Sequence, residues 1–187
     1  MNAQRIALVG PVASGKSTLA AAIAAHTGLP RIDLDELFWQ PDWTATDAAA
    51  FHDSVRSALS AETWIADGNY GGEVAETLLG RADLVIWLDL PLRVCLPRLV
   101  NRSLRRAVTG EELFAGNRES LRHLIARDSI LRWGPAHHHR HRRRWAARLA
   151  PSHTGPLPVV RLAQPACVEI RLRELDLLTR EETGCRK

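Results

Sequence analysis

The stretch GPVASGKST, Gly10 to Thr18, follows directly on the apolar run RIALV and precedes the helix-forming TLAAAIAAH, and this order constrains the fold more than any other feature of the chain. It fits G-x-x-x-x-G-K-[ST], in which glycines let the backbone bend so that several N–H groups converge on one anion. The following helix adds the partial positive charge of its N-terminus, and the lysine reaches the outer phosphates. From average residue usage the pattern arises by chance in about 1% of chains this long, and the flanking strand and helix lower that further. Lys16 and Lys187 are the only lysines in a chain that otherwise writes its basic residues as arginine, and such a loop needs a compact charge on a flexible stem. The expected nucleotide-binding set is therefore Gly10, Ser14, Gly15, Lys16, Ser17 and Thr18. ATP and Mg²⁺ are the expected cofactors, with the Ser17 hydroxyl on the metal.

Hydrophobic patterning sets the remaining segments. Strands are expected at 5–9, 31–34, 63–66, 83–88 and 159–162, and helices over 16–26, within 47–60, from Pro91 onward, from about Arg118 to Leu149 with an interruption at Gly134 and Pro135, and over 166–178. Strands alternating with helices imply an α/β fold with a parallel sheet covered on both faces.

With 187 residues and 45% hydrophobic content, the chain can bury one core, so a single domain over 1–187 is expected. No apolar run approaches the roughly 18 residues of a membrane span, and MNAQRIALVG lacks the parts of a signal peptide. A cytoplasmic protein with no membrane partner is the expectation. Cys95, Cys167 and Cys185 are odd in number and widely spaced, which suggests neither a disulfide framework nor a zinc knuckle. A net charge of +4 hides an arginine-rich region between Arg93 and Arg148, which should meet something anionic. With only two lysines, no N-K-x-D base-reading motif is possible, which argues against a guanine-specific GTPase.

Four segments together, GPVASGKST, LDELFWQPDW (Leu34 to Trp43), DGNYGG (Asp67 to Gly72) and DLVIWLDLP (Asp83 to Pro91), resemble the bacterial topology modulation protein (FlaR-related) group of adenylate-kinase-like P-loop kinases. The resemblance runs to about Leu149. It implies a P-loop NTPase fold with a five-stranded parallel sheet flanked by helices and a helical lid, here about 105–118, and ATP-dependent transfer of phosphate to a nucleotide or small-molecule acceptor. By the same resemblance Asp67, in a D-G motif, holds water on Mg²⁺. Asp89 closes an equally good Walker B strand, or else caps the helix at Pro91. Asp33 and Asp35 form a D-x-D pair like that of shikimate-kinase-like enzymes, Asp33 touching the metal shell and Asp35 serving the acceptor hydroxyl. Phe38, Trp39 and Trp43 are candidates for an acceptor wall, and Asn69 and Tyr70 for acceptor contacts. DGNYG stands where true adenylate kinases carry D-G-F-P-R, which argues against AMP as acceptor.

Arg98 and Arg102 stand four apart on one helix face, where the resemblance implies contact with the nucleotide. Arg105 and Arg106 lead into the lid, where an arginine neutralises developing phosphoryl charge. The expected catalytic set is Lys16, Asp35, Asp67, Arg102 and Arg106. HHHRHRRRW (His137 to Trp145) reads as a basic helix with Arg140, Arg142, Arg143 or Arg144 toward phosphate. The rival partner for this region is nucleic acid, in an ATPase that grips a phosphate backbone. A nucleotide-binding regulator without turnover is a third reading.

Overall fold

In a computed structural model describing residues 3–120, 122, 124, 126 and 129–177, the strand and helix signals resolve into one five-stranded parallel sheet. The elements in order are β1 (Arg5–Val9), α1 (Lys16–Thr27), β2 (Arg31–Asp33), α2 (Leu34–Phe38), a hairpin of β3 (Trp39–Gln40) and β4 (Thr44–Ala45), α3 (Ala48–Ala58) and β5 (Trp64–Asp67). They continue with α4 (Gly72–Arg81), β6 (Leu84–Leu88), α5 (Leu92–Thr109), a 3₁₀ turn (Phe114–Gly116), α6 (Ile130–Arg148), α7 (Pro151–Thr154), β7 (Val159–Leu162) and α8 (Pro165–Glu174). The sheet order is β2-β5-β1-β6-β7, so β1 is central and its loop opens at the carboxyl ends of its neighbours.

The apolar runs exist because both sheet faces are covered. Ala7 and Val9 join Phe51, Val55, Trp64, Trp145 and Leu149 in one core, whereas Ile6 and Leu8 join Leu19, Ile23 and Leu172 in the other. Each fully buried aliphatic side chain contributes about 1.5 to 3 kcal/mol, which fixes the central strand and with it the origin of the loop.

Several expectations need correction. Residues 72–81 form a helix where the sequence reading assigned no element, because Gly71 and Gly72 open it and only Val74, Ala75 and Leu78 mark its buried face. The short α2 and the β3–β4 hairpin were also unread. Pro135 does not interrupt α6, which runs unbroken over nineteen residues. Pro135 gives up one helical hydrogen bond, but Gly134 lies against α5 so closely that a Cβ there would sit 2.9 Å from a Leu99 methyl. Arg118 pairs with Glu112 in a β-bridge instead of opening a helix. Cys95 and Cys167 are free thiols; Leu178, Cys185 and Lys187 lie outside the described residues. Among the described residues, no helix is long and apolar enough to cross a membrane.

Candidate functional site

The 10–15 loop is built for close approach. A Cβ on Gly10 would sit 2.6 Å from the Leu88 carbonyl oxygen, so only glycine lets the loop lie against the end of β6. Gly15 precedes α1 at φ 98°, a left-handed conformation that glycine adopts without strain. Lys16 Nζ donates to the carbonyls of Gly10 (3.0 Å) and Pro11 (3.1 Å), folding back over the loop. Desolvation lowers the Lys16 pKa, partly opposed by the charges of Asp35 and Asp67 and reinforced by Arg102. The Ser14 hydroxyl is buried without a partner among the described residues, while Ser17 and Thr18 are exposed on the first turn. A buried hydroxyl without a partner is costly.

Asp33 and Asp67 are register neighbours at the ends of β2 and β5, and both are buried. Arg31 spans them, donating to Asp33 at 2.7 Å and to Asp67 at 3.4 Å. Sequence reasoning missed Arg31, although its i, i+2 spacing from Asp33 along a strand puts both on one face. Asp33 also accepts the Asp35 N–H and so caps α2. Asp35 in turn accepts the Tyr70 hydroxyl at 2.5 Å, and burial, with the Asp35 charge, pushes the Tyr70 pKa upward. Tyr70 packs at a tilt against Phe38 and Phe51, and Phe38 contacts Trp39, which contacts Trp43. The expected acceptor residues thus meet in one aromatic wall. Asn69 instead accepts from the Trp145 indole at 2.7 Å. Among the described residues, no group of three or more His, Cys, Asp or Glu side chains could hold a metal; Mg²⁺ commonly uses only one or two carboxylates plus phosphate.

Burial, with the charges of Asp67 and Asp35, pushes the Asp33 carboxyl up to about 7. Between the ordinary carboxylate value and about 7, the folded chain holds a proton that the unfolded chain has released, so this group makes stability fall as pH rises. His141 works the other way. Burial, then Arg144, His137 and Lys16, lowers it to about 4, so the unfolded chain binds the extra proton and stability rises with pH through the same window. Relative to wild type, Asp33→Asn should therefore tilt the stability profile upward with pH between about pH 4 and 6.5, and His141→Gln should tilt it downward. Urea unfolding across that range checks both; parallel profiles for the two variants would contradict the assignment.

On α5, Arg98 donates to the Ser14 carbonyl at 3.3 Å. Arg102 is half-buried and has no hydrogen bond or ion pair to any described residue, and its Nε is fully enclosed. Desolvation lowers its pKa, as does the neighbouring Arg106, against Glu119 and Asp35. Arg106 is held by Glu111 and Glu119, each at 3.4 Å, and Arg105 by Glu111 at 2.9 Å. The structure brings Arg98 and Arg102 toward the loop and ties Arg106 to carboxylates.

The 110–118 segment fastens to the β3–β4 hairpin through Asn117, which is buried. Its Oδ1 accepts from the Trp43 N–H (2.9 Å), and its Nδ2 donates to the carbonyls of Gln40 and Phe114 (2.8 Å each). Three of the non-glycine residues with positive φ, Asp42, Trp43 and Ala115, lie at this contact, a strained conformation that persists only where surroundings enforce it. Asn117→Ala should cost about 1 to 3 kcal/mol by stranding these backbone groups and should accelerate hydrogen exchange in both segments. Loosening of only one segment would refute the clasp.

Asp89 corrects another expectation. It caps no helix, since Pro91 holds that position and α5 has no side-chain cap. Instead it is buried between Arg142 and Arg161, with Arg161 Nη2 at 2.5 Å. Burial alone would raise the Asp89 pKa, but the hydrogen bonds and charges of both arginines outweigh it and hold it low. Arg142 is thereby committed away from the loop. On the same helix His141 feels the charge of Lys16, and Arg148 comes near Gly71.

No family profile and no curated protein sequence matches this chain. Among solved structures, an unliganded sugar kinase from Janibacter sp. HTCC2649 matches with TM-score 0.56 at 20% identity, over 95% of this chain and 99% of its own. A gluconokinase from Sinorhizobium meliloti 1021 matches with TM-score 0.53 at 18% identity, over 93% and 91% of the two chains. A shikimate kinase from Acinetobacter baumannii, in complex with shikimate, matches with TM-score 0.51 at 17% identity, over 94% and 93%. The shared feature at these identities is the fold, an α/β P-loop kinase fold with a five-stranded parallel sheet flanked by helices.

Proposed function

We propose that this protein is an ATP-dependent phosphotransferase acting on the hydroxyl group of a small molecule. The observation that carries the reading is one meeting of charges at the strand ends. Lys16 and Arg98 lie on the glycine loop beside Arg102, which has no partner among the described residues, and opposite them stand Asp33, Asp35 and Asp67. Arg102, with no hydrogen bond or ion pair to a described residue, is available to an anion, and a polyphosphate supplies one.

In this reading the loop amides, with Gly10, Ser14, Gly15, Lys16, Ser17 and Thr18, hold the phosphates, while Arg98 and Arg102 neutralise their charge. The acceptor oxygen bonds to the γ-phosphorus as the bond to the bridging oxygen breaks. ADP departs with that electron pair, and the acceptor's proton passes to Asp35, which Tyr70 orients. Mg²⁺ would be held by Ser17 and, through water, Asp67, with Asp33 beside it, and would supply charge neutralisation at the phosphates. The 105–118 segment acts as the lid, where phosphate competes with Glu111 and Glu119 for Arg106. Membership of the topology modulation group rests on the four sequence segments.

Arg132, Arg140, Arg143 and Arg144 are exposed on α6 and make no ion pair with any described residue, which favours a second reading, a nucleic-acid-binding ATPase. Calorimetric ATP titration separates the two. Arg98→Ala and Arg102→Ala should each weaken ATP binding or slow transfer by about 10- to 150-fold, the cost of one charge-assisted contact, whereas Asp35→Ala should spare ATP affinity. Unchanged ATP binding and turnover in both arginine variants, with a DNA-binding salt slope smaller by about one per arginine, would favour the second reading.

A further inference from the structure

A cavity of about 540 Å³ opens between α6 and the edge strand β7, where Trp87, Asp89, His139, Arg142, Arg143 and Arg161 line it. The sheet order puts it on the β6–β7 side of the central strand, and none of these residues belongs to the loop, the carboxylate pair or the aromatic wall. Its chemistry is unbalanced. Three guanidinium groups face one carboxylate, and Asp89 is the partner of two of them, Arg142 and Arg161. Arg143 has no ion pair with any described residue, so the cavity keeps an excess of about two positive charges before His139 is counted.

A further observation points to a ligand. Trp87 is only 5% exposed, and its enclosed indole N–H has no acceptor among the described residues. The Arg161 guanidinium lies over the Trp87 ring, 4.9 Å from its centroid, and Asp89 holds it there through Nε and Nη2. The fork is thus preorganised, and a preorganised guanidinium loses little entropy when it grips an oxyanion. The volume falls within the range of small-molecule sites and exceeds what a bare phosphate fills.

We propose that this cavity binds the phosphate group of a small phosphate monoester, at a site separate from the glycine loop. Arg143 and Arg161 carry the contact while Asp89 fixes Arg142 and Arg161 as the wall. The site stands whether or not the loop transfers phosphate, because it uses none of the same residues.

The test is calorimetric titration of glycerol 3-phosphate, with inorganic phosphate in parallel, into protein whose loop is saturated with a non-hydrolysable Mg·ATP analogue. Lys16→Ala is titrated without the analogue. Glycerol 3-phosphate should bind the wild type, bind Lys16→Ala equally well, and lose at least about tenfold in affinity in Arg143→Ala. Arg143 is exposed and unpaired, so this variant should fold normally, and an unchanged melting temperature verifies that. Arg161→Lys should also bind more weakly, because a lysine keeps the charge but not the fork. Unchanged affinity in Arg143→Ala, loss only in Lys16→Ala, or no measurable binding would overturn the proposal. So would a single-stranded oligonucleotide that binds through Arg143 while glycerol 3-phosphate does not, since the cavity would then be part of a polyanion surface.

Discussion

Lys16→Ala is expected to reduce Mg·ATP turnover by at least about 100-fold, the usual cost of removing one preorganised group that stabilises transition-state charge. The fold should survive. The two hydrogen bonds from Lys16 Nζ to loop carbonyls contribute only about 1 kcal/mol each, and removing a desolvated ammonium offsets part of that. Melting temperature and a coupled ADP assay on the same preparation check both halves. Wild-type turnover in a folded variant would mean that the loop does not handle phosphate.

Asp67→Asn and Asp89→Asn should fail in different ways. Asp67 is buried beside the central strand, in register with Leu8, and shares Arg31 with Asp33. Its neutralisation should lower kcat by about 10- to 100-fold, as losses around a metal site commonly do. Asp89 anchors Arg142 and Arg161, and its neutralisation leaves both guanidinium groups without their carboxylate. Breaking a buried pair costs about 3 to 5 kcal/mol, but Arg142 is 29% exposed and Arg161 59%, so water recovers part of it and about 1 to 3 kcal/mol of stability should be lost. Turnover of the folded Asp89→Asn protein should stay near wild type. Should the ranking in kcat reverse with both variants folded, the metal-linked carboxylate would be Asp89.

What could be read from the sequence were features whose causes lie within a few residues. β1, the glycine loop and α1 declare themselves because an apolar run, a glycine and a helix-forming stretch adjoin, and DLVIWL reads as buried because both faces of β6 are covered. Features made by distant partners stayed hidden. Asp89 sits beside a helix start and resembles a cap, yet its partners lie 53 and 72 residues away. Asn117 offers no local signal, because the Gln40 carbonyl and Trp43 N–H it satisfies are 77 and 74 positions distant. Pro135 should break a helix by local rules, yet α6 runs through it where Gly134 packs on Leu99. The short α2 persists through a local cap, Asp33, and through Tyr70 on Asp35, a contact 35 positions distant that propensity cannot register. The candidate carboxylates were legible as D-x-D and D-G, but Arg31, which binds the pair together, was not.

The most direct measurement is the fate of labelled phosphate. The protein is incubated with Mg·ATP carrying γ-³²P and a panel of nucleosides, nucleotides and small hydroxyl metabolites, and products are separated beside a reaction containing single-stranded and duplex DNA. The account predicts that one acceptor class accelerates ADP formation and recovers the label as an organic phosphate ester in equal amount, and that Lys16→Ala abolishes both. Label recovered only as inorganic phosphate, with turnover raised by DNA and by no acceptor, would contradict it.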